Sequence, residues 1–297
     1  MVDEIGEISG VGESTVEKLE KAGIESLAHA SAASAETMAE AGVAKTRIKK
    51  IKNHVGNGLS IQTGVEAKEA EEKRKNIPTG IDGLDTILGG GWEQGFVTTI
   101  YGSEGTGKSQ IAFQSLVSAV EHTGNMGIYI ETEPNRYRSE RLQEMENEDG
   151  AHEKVALMKS RGIEEQEKAY NTARLHSEEL SLVVVDSFNA EFRGQFPDRS
   201  DFSNRATVMK HHMDDVYRLA EERNVPVLLT GQVYGNPQQY TSTKEVAYGG
   251  SVLKHSSGSL IHLTDDADLT KLTIEKHPGI GQQSVTIEVT DDGINSV

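Results

Sequence analysis

Apolar positions follow two different periods along this chain, and the change falls near residue 76. Before it they recur at helical spacing. Val16, Leu19 and Ala22 share one face of a helix that follows Ile8-Ser9-Gly10-Val11-Gly12, and Gly23 ends that helix. Ala41-Gly42-Val43-Ala44 leads in the same way into a second helix carrying Ile48 and Ile51. Residues 1–58 therefore predict a small all-α unit with two glycine-bounded turns. Residues 59–76 predict a linker, extended over Ser60–Gly64 and charged and helical over Val65–Lys75, serving as a solvated connector or an arm on a neighbouring subunit.

Beyond residue 76 the apolar residues come in strand-length runs. They are Phe96–Tyr101, Gly127–Thr132, Leu180–Asp186, Pro226–Thr230, Ser259–Leu263, Leu269–Glu275 and Val285–Val289. Helical stretches separate the first four, the pattern of right-handed crossovers onto a parallel sheet with helices on both faces. The last three follow without helices and predict antiparallel strands. A short helix with Leu84, Ile87 and Leu88 lies between the turns Ile77-Pro78-Thr79-Gly80 and Leu88-Gly89-Gly90-Gly91 and opens this α/β unit, residues 77–297.

Composition narrows the classes. Lysine and arginine number 30 against 47 acidic residues, a formal charge of −17. Such a balance suits solubility at high salt, as in a halophile, or avoidance of polyanions, and it leaves room for a local basic stripe. With no cysteine, disulfides and thiolate metal sites are excluded. No run of about 18 apolar residues predicts a membrane span. Met1-Val2-Asp3-Glu4 lacks the basic and apolar regions of a signal peptide, so a cytoplasmic protein is expected.

The chemistry centres on Gly102-Ser103-Glu104-Gly105-Thr106-Gly107-Lys108-Ser109, which fits the phosphate-loop pattern at every fixed position. A strand leads in, and a helix leads out from Gln110, which is expected to bind the nucleotide together with the motif residues. The glycines let successive N–H groups turn inward as an anion nest, and the helix adds its positive end. Lys108 is expected to reach the β- and γ-phosphates of ATP, and Ser109 to ligate Mg²⁺. Leu182-Val183-Val184-Val185-Asp186 reads as a Walker B strand, with Asp186 on the metal through water or on Ser109. Glu133, just past a strand end, is the expected base for the attacking water, ahead of Glu131 two residues earlier. Gln232, after the Pro226–Thr230 strand, is placed to sense the γ-phosphate. His211-His212 reads as helix surface.

Both glycine turns of the first unit resemble helix-hairpin-helix motifs, whose amides meet DNA phosphates without reading sequence. Plain helical packing is the alternative. Lys45, Arg47, Lys49 and Lys50 make the second copy the better candidate, since Glu13 and Glu17 flank the first.

Taken together, the chain resembles the archaeal RadA/RecA recombinase family over essentially its whole length. The resemblance rests on the phosphate loop, on Ile130-Glu131-Thr132-Glu133 with Glu140-Arg141-Leu142, and on Asp186-Ser187 with Phe192-Arg193. It also rests on Thr230-Gly231-Gln232-Val233, where the family has Asn at the second position, and on Gly249-Gly250 through Leu253-Lys254-His255. It implies a RecA-like ATPase core behind a helix-hairpin-helix unit, and it puts the catalytic glutamate at Glu133. It further implies ATP at a subunit interface of a homo-oligomer, with a neighbour supplying charge such as Lys276. Single-stranded DNA would lie on loops at Gly194–Arg205, with Arg193, Arg199 and Arg205, and at Tyr234–Tyr248, with Tyr240 and Lys244, and double-stranded DNA would join during pairing. For Arg193 an ion pair within the sheet domain is the alternative.

Two departures qualify this. The docking motif Phe-x-x-Ala falls at Ile61-Gln62-Thr63-Gly64, a smaller knob that weakens the case for filaments. Glu275-Lys276-His277-Pro278 and Gly231-Gln232-Val233-Tyr234 resemble RadB. The alternatives are therefore a RadB-like mediator that uses ATP as a clamp, and a KaiC-like signalling ATPase, which shares the Pro-Thr-Gly and Leu-Gly-Gly-Gly approach to the loop.

Overall fold

The computed structural model describes residues 3–6, 8, 10–24, 26–33, 35–55, 64, 68, 74–147, 150–196, 202–234, 246–247 and 251–297. The chain divides into two compact units, Met1–Lys73 and Arg74–Val297.

In the first unit, α1 (Asp3–Gly6), α2 (Glu13–Lys21), α3 (Leu27–Ala32), α4 (Ala35–Glu40) and α5 (Lys45–Val55) enclose a core that includes Ile5, Leu19, Met38 and Ile51. Gly23 takes a left-handed φ of 77°, and Ile24 N donates to Leu19 O at 2.9 Å, so the last carbonyls of α2 are satisfied. Gly42, at φ 81°, ends α4 the same way, with Val43 N on Met38 O at 3.1 Å. The buried stripe of α2 is Thr15 and Leu19 with Val16 at its edge. Ala22 caps the helix and is exposed, so the expected stripe ends one turn early.

The two copies brace each other. Lys18 Nζ donates to Gly42 O at 3.0 Å, and Lys50 Nζ lies so near Gly10 that a Cβ there would meet it at 2.4 Å. Lys52 Nζ donates to Ala30 O at 3.1 Å and to Ala33 O, capping α3. Lys45, Arg47 and Lys49 stay exposed on α5.

The second unit opens with an antiparallel ribbon of β1 (Asn76–Ile77) and β2 (Trp92–Glu93) around α6 (Asp82–Leu88). Its large sheet is built from β3 (Val97–Gly102), β4 (Met126–Glu131), β5 (Val155–Lys159), β6 (Leu180–Asp186), β7 (Val227–Tyr234), β8 (Val246–Ala247), β9 (Ser259–Asp266), β10 (Leu269–Lys276), β11 (Ser284–Thr290) and β12 (Gly293–Ser296). The order is β12-β11-β10-β9-β3-β7-β6-β4-β5, with β8 paired to the end of β7. Every residue of β3 and β6 is buried, because helices cover both faces. On one face lies α7 (Lys108–Thr123), packed on β4 and β6. On the other lie α9 (Ile163–Leu175) and α11 (Phe202–Arg223), packed on each other. The unit also holds three shorter α-helices, α8 (Ser139–Glu144), α10 (Ala190–Gln195) and α12 (Ser251–Ser256), and a 3₁₀ turn at Ala151–Lys154.

Two features differ from the sequence expectation. Strand β9 runs parallel to β3, Thr98 against Ser259, and the antiparallel additions are β10, β11 and β12 beyond it and the short β8 on β7. Strand β5 was not expected. It is an outer strand with an alternating burial pattern and pairs in parallel with β4.

His212 also departs from expectation. It lies on α11 but is only 2% exposed, edge-on to Tyr170 and Phe192. Burial pushes its pKa down to about 4. A group held neutral in the fold but basic when unfolded stabilises fully above the unfolded value of 6.5, and that contribution is lost as pH falls towards 4. Between those limits up to about 3 kcal/mol of stability should disappear. His212→Leu should flatten this part of a pH–Tm profile, and an unchanged profile would refute the assignment.

Candidate active site

Parallel register brings the candidate residues into one row. Along β3 and β7 Gly102 stands opposite Gln232, along β6 and β7 Val185 stands opposite Leu229, and along β4 and β6 Glu131 stands opposite Asp186. The carboxyl ends of β3, β7, β6 and β4 are therefore side by side, where open α/β sheets hold their ligands.

At the end of β3 the chain makes the loop from Ser103 to Gly107 and enters α7 at Lys108. Gly107, at φ 80°, is the N-cap, and a Cβ on Gly102 would lie 2.5 Å from Leu263 O, so neither position accepts a side chain without strain. The first N–H groups of α7 have no acceptor within the helix and face the loop. Thr106 is fully buried, its hydroxyl on Ser103 O at 2.9 Å, and braces the loop from inside. Lys108 Nζ folds back onto Gly102 O at 2.9 Å and onto Ser103 O. Burial lowers its pKa, and the carboxylate of Asp186 opposes that shift.

A cavity of about 220 Å³ opens beside the loop. Glu104, Gly105, Gly107, Lys108 and Ser109 line it from the motif and Gln110 from the helix that follows, facing Glu133, Asp186 and Gln232. Asp186 accepts from Ser109 Oγ at 2.7 Å, from the Tyr129 hydroxyl and from the Thr230 hydroxyl. Burial and this carboxylate hold the Tyr129 phenol protonated, far above its ordinary pKa.

Glu133 and Glu131 are separated cleanly. Glu131, 2% exposed, accepts from the backbone of Arg136 at 2.8 Å and of Tyr137 at 2.9 Å, and pairs with Arg161 at 2.7 Å. It shapes the turn after β4. Glu133 faces the cavity, accepting from Ser187 Oγ at 2.8 Å, from Gln232 Nε2 at 3.2 Å and from Arg136 Nη2 at 2.7 Å. Burial raises its pKa, but the hydrogen bonds from Arg136 and Ser187 and the charges of Arg136 and Arg193 outweigh that and hold it below the usual range.

Arg193 turns towards this network. Its Nη1 donates to Gln232 Oε1 at 2.5 Å and its Nη2 lies 3.9 Å from Glu133 Oε1, matching the ion-pair alternative. Arg205 lies on α11 and Gly194 on α10, so both ends of the segment expected as a loop are helical. Arg199, Tyr240, Lys244 and Ile61-Gln62-Thr63 lie outside the described residues. Lys276 Nζ donates to Lys254 O and His255 O at 3.1 Å and to Ser257 O at 2.6 Å, engaged at the end of α12 within its own chain.

Sequence reasoning missed several contributors. Arg136 lines the cavity and bridges Glu133 to Glu104, 3.6 Å away. Tyr129 is an ordinary strand residue, and Thr230 reads only as the head of the stretch that holds Gln232, until the register puts their hydroxyls on Asp186. Asn189 clamps the backbone of Gln232, its Nδ2 on Gln232 O and its Oδ1 on Gln232 N, both at 3.3 Å. A Cβ on Gly231 would lie 3.4 Å from Asn189 Nδ2, an ordinary contact with that amide.

A parallel sheet with helices on both faces, a phosphate loop after β3 and carboxylates after β4 and β6 define a RecA-like phosphate-loop fold. The chain belongs to the Rad51 family, whose model matches residues 72–297, as the motif resemblance implied. It is similar to the "DNA repair and recombination protein RadA" of Aeropyrum pernix, 29% identical over 319 residues that cover 99% of this chain and 97% of that protein. The protein of the same name from Metallosphaera sedula is 29% identical over 307 residues, covering 98% and 94%.

Proposed function

We propose that this chain is a DNA-dependent ATPase of DNA recombination and repair. In this reading it binds single-stranded DNA as an oligomer, with ATP at a subunit interface, and pairs that strand with double-stranded DNA. The observation that carries the reading is the meeting of the phosphate loop, Asp186, Glu133 and Gln232 at one cavity in a Rad51-family chain.

The loop amides and the start of α7 bind the β- and γ-phosphates. Lys108 exchanges the carbonyls of Gly102 and Ser103 for phosphate oxygens, and the added negative charge offsets the effect of its burial. Ser109 and Asp186 offer hard oxygen ligands that suit Mg²⁺. Bound there, Mg²⁺ neutralises phosphate charge. Glu133 takes a proton from water as the water oxygen bonds to the γ-phosphorus. The bond from that phosphorus to the bridging oxygen breaks, and ADP and phosphate leave. Gln232 links Glu133 to β7, and the proposed DNA segment Tyr234–Tyr248 follows two residues on.

ATP turnover with and without single-stranded DNA, across a KCl series reaching molar concentration, tests this. Turnover should rise when DNA is added. Turnover that ignores DNA, with no DNA binding at low salt, would favour a KaiC-like signalling ATPase. A mediator that uses ATP as a clamp is the second reading, favoured by the internal engagement of Lys276. Sedimentation with ATP and single-stranded DNA separates the two, since long filaments exclude a simple mediator.

The first unit adds a second DNA-binding surface in this reading, through Lys45, Arg47 and Lys49. Replacing all three with alanine should weaken binding similarly for all sequences. The slope of log affinity against log salt should shrink by roughly 3, about one for each phosphate no longer neutralised. An unchanged slope would assign these turns to packing alone.

A further inference from the structure

Among the residues lining the cavity, Lys108 and Arg136 are the cations, and they face Glu104, Glu133 and Asp186. Lys108 belongs to the phosphate loop. Arg136 belongs to no motif read from the sequence. It stands three residues after Glu133, where the backbone amides of Arg136 and Tyr137 are pinned by the buried carboxylate of Glu131. That anchor fixes the turn, so the guanidinium projects from a rigid base while its side chain stays 38% exposed. Its Nε and Nη2 both reach Glu133 Oε2, at 3.2 and 2.7 Å, and Nη2 lies 3.6 Å from Glu104 Oε1. The charges of Glu133, Asp186 and Glu104 all raise its pKa, and its own charge lowers that of Lys108 across the cavity. The guanidinium is thus within electrostatic reach of both walls of the space that a triphosphate would fill.

We infer that Arg136 is a catalytic cation supplied in cis, a planar donor that binds the terminal phosphate of ATP and steadies the charge that builds there as the γ-phosphoryl group transfers. The inference rests on the ATPase reading and extends it. Phosphoryl transfer needs positive charge at the terminal oxygens, and an arginine in the same chain can supply it. Arginine suits the task because its fork matches phosphate geometry and its charge survives burial. The other source, Lys276 from a neighbour, has its amine on three carbonyls of its own chain. Glu104, 81% exposed, is a weak competitor for Arg136. Glu133 is the stronger one. A terminal phosphate would draw the guanidinium off Glu133 Oε2, leaving that oxygen to receive the proton of water while Ser187 and Gln232 still hold Oε1.

The test compares the unmodified chain, Lys108→Ala, Arg136→Gln and Arg136→Lys. Dissociation constants are measured for Mg²⁺-ADP and for the β,γ-imido analogue of ATP, and turnover is measured over a wide range of protein concentration. Arg136→Gln should raise the dissociation constant of the analogue about tenfold, leave that of ADP within twofold, and lower kcat on the order of a hundredfold, with Arg136→Lys between. Because the cation acts in cis, the deficit should be the same fraction at every protein concentration. Equal weakening for ADP and analogue, unchanged turnover, or faster turnover from a freed Glu133 would each overturn the inference. An unmodified chain that neither binds nor hydrolyses ATP would instead overturn the ATPase reading. Melting curves confirm folding, since Arg136 lies outside the core clusters.

Discussion

Lys108→Ala should lower ATP turnover by about 10²–10³-fold, the scale seen when one preorganised hydrogen-bond donor to a developing charge is removed. Two losses combine. In the ligand-free state the amine ties the loop together through Gly102 O and Ser103 O, and in the nucleotide-bound state it would neutralise the β- and γ-phosphates. Truncation therefore loosens the nest and strips its charge, so the affinity for nucleotide falls together with kcat. The fold should survive, because Thr106 still braces the loop on Ser103 O and the core beneath α7 is untouched. Stopped-time phosphate release with a melting curve on the same sample checks both halves. Turnover like that of the unmodified chain would remove the phosphate loop from the chemistry.

Glu133→Gln should give a different signature. The amide keeps an acceptor for Ser187 Oγ but cannot take a proton, so kcat should fall roughly 10²–10⁴-fold while ATP binding changes little. The pH profile adds a second check. Glu133 works when deprotonated, and its neighbours hold its pKa below the usual range. The kcat/KM of the unmodified chain, which reports the ligand-free enzyme, should therefore persist as pH falls through the ordinary carboxylate range and drop only below it. A loss of kcat/KM at the ordinary glutamate value would mean that the ring of Ser187, Arg136 and Arg193 does not act on the reacting carboxyl. If Glu133→Gln keeps full activity while Glu131→Gln loses it with the fold intact, the roles of the two carboxylates are reversed.

Much of the fold and of the site is legible in the sequence alone. The four strands that carry the site stand out because burial on both faces makes them continuous apolar runs, and the phosphate loop because glycines at fixed spacing leave little conformational choice. Strand β5 was not legible. An outer strand half open to solvent needs only alternate apolar positions, and Val155-Ala156-Leu157-Met158-Lys159 hides that pattern among hydrophobic residues. His212 was misread because the second face of α11 is covered by Tyr170 from α9 and Phe192 from α10, contacts between segments distant in sequence. The same holds for the partners of Asp186. Tyr129 carries no motif and Thr230 only heads the stretch that holds Gln232, and the register of three strands puts their hydroxyls on one carboxylate. Arg136 was invisible for a related reason: a lone arginine after a strand reads as surface until Glu131 is seen to anchor its turn.

The most direct measurement is a crystal structure of the chain with Mg²⁺ and the β,γ-imido analogue of ATP. The expected result is a triphosphate wrapped by residues 103–109, the metal beside Ser109 and Asp186, and Glu133 facing the terminal phosphorus. Density for the phosphates anywhere other than that loop, or a bound nucleotide from which Glu133 and Asp186 both turn away, would contradict it.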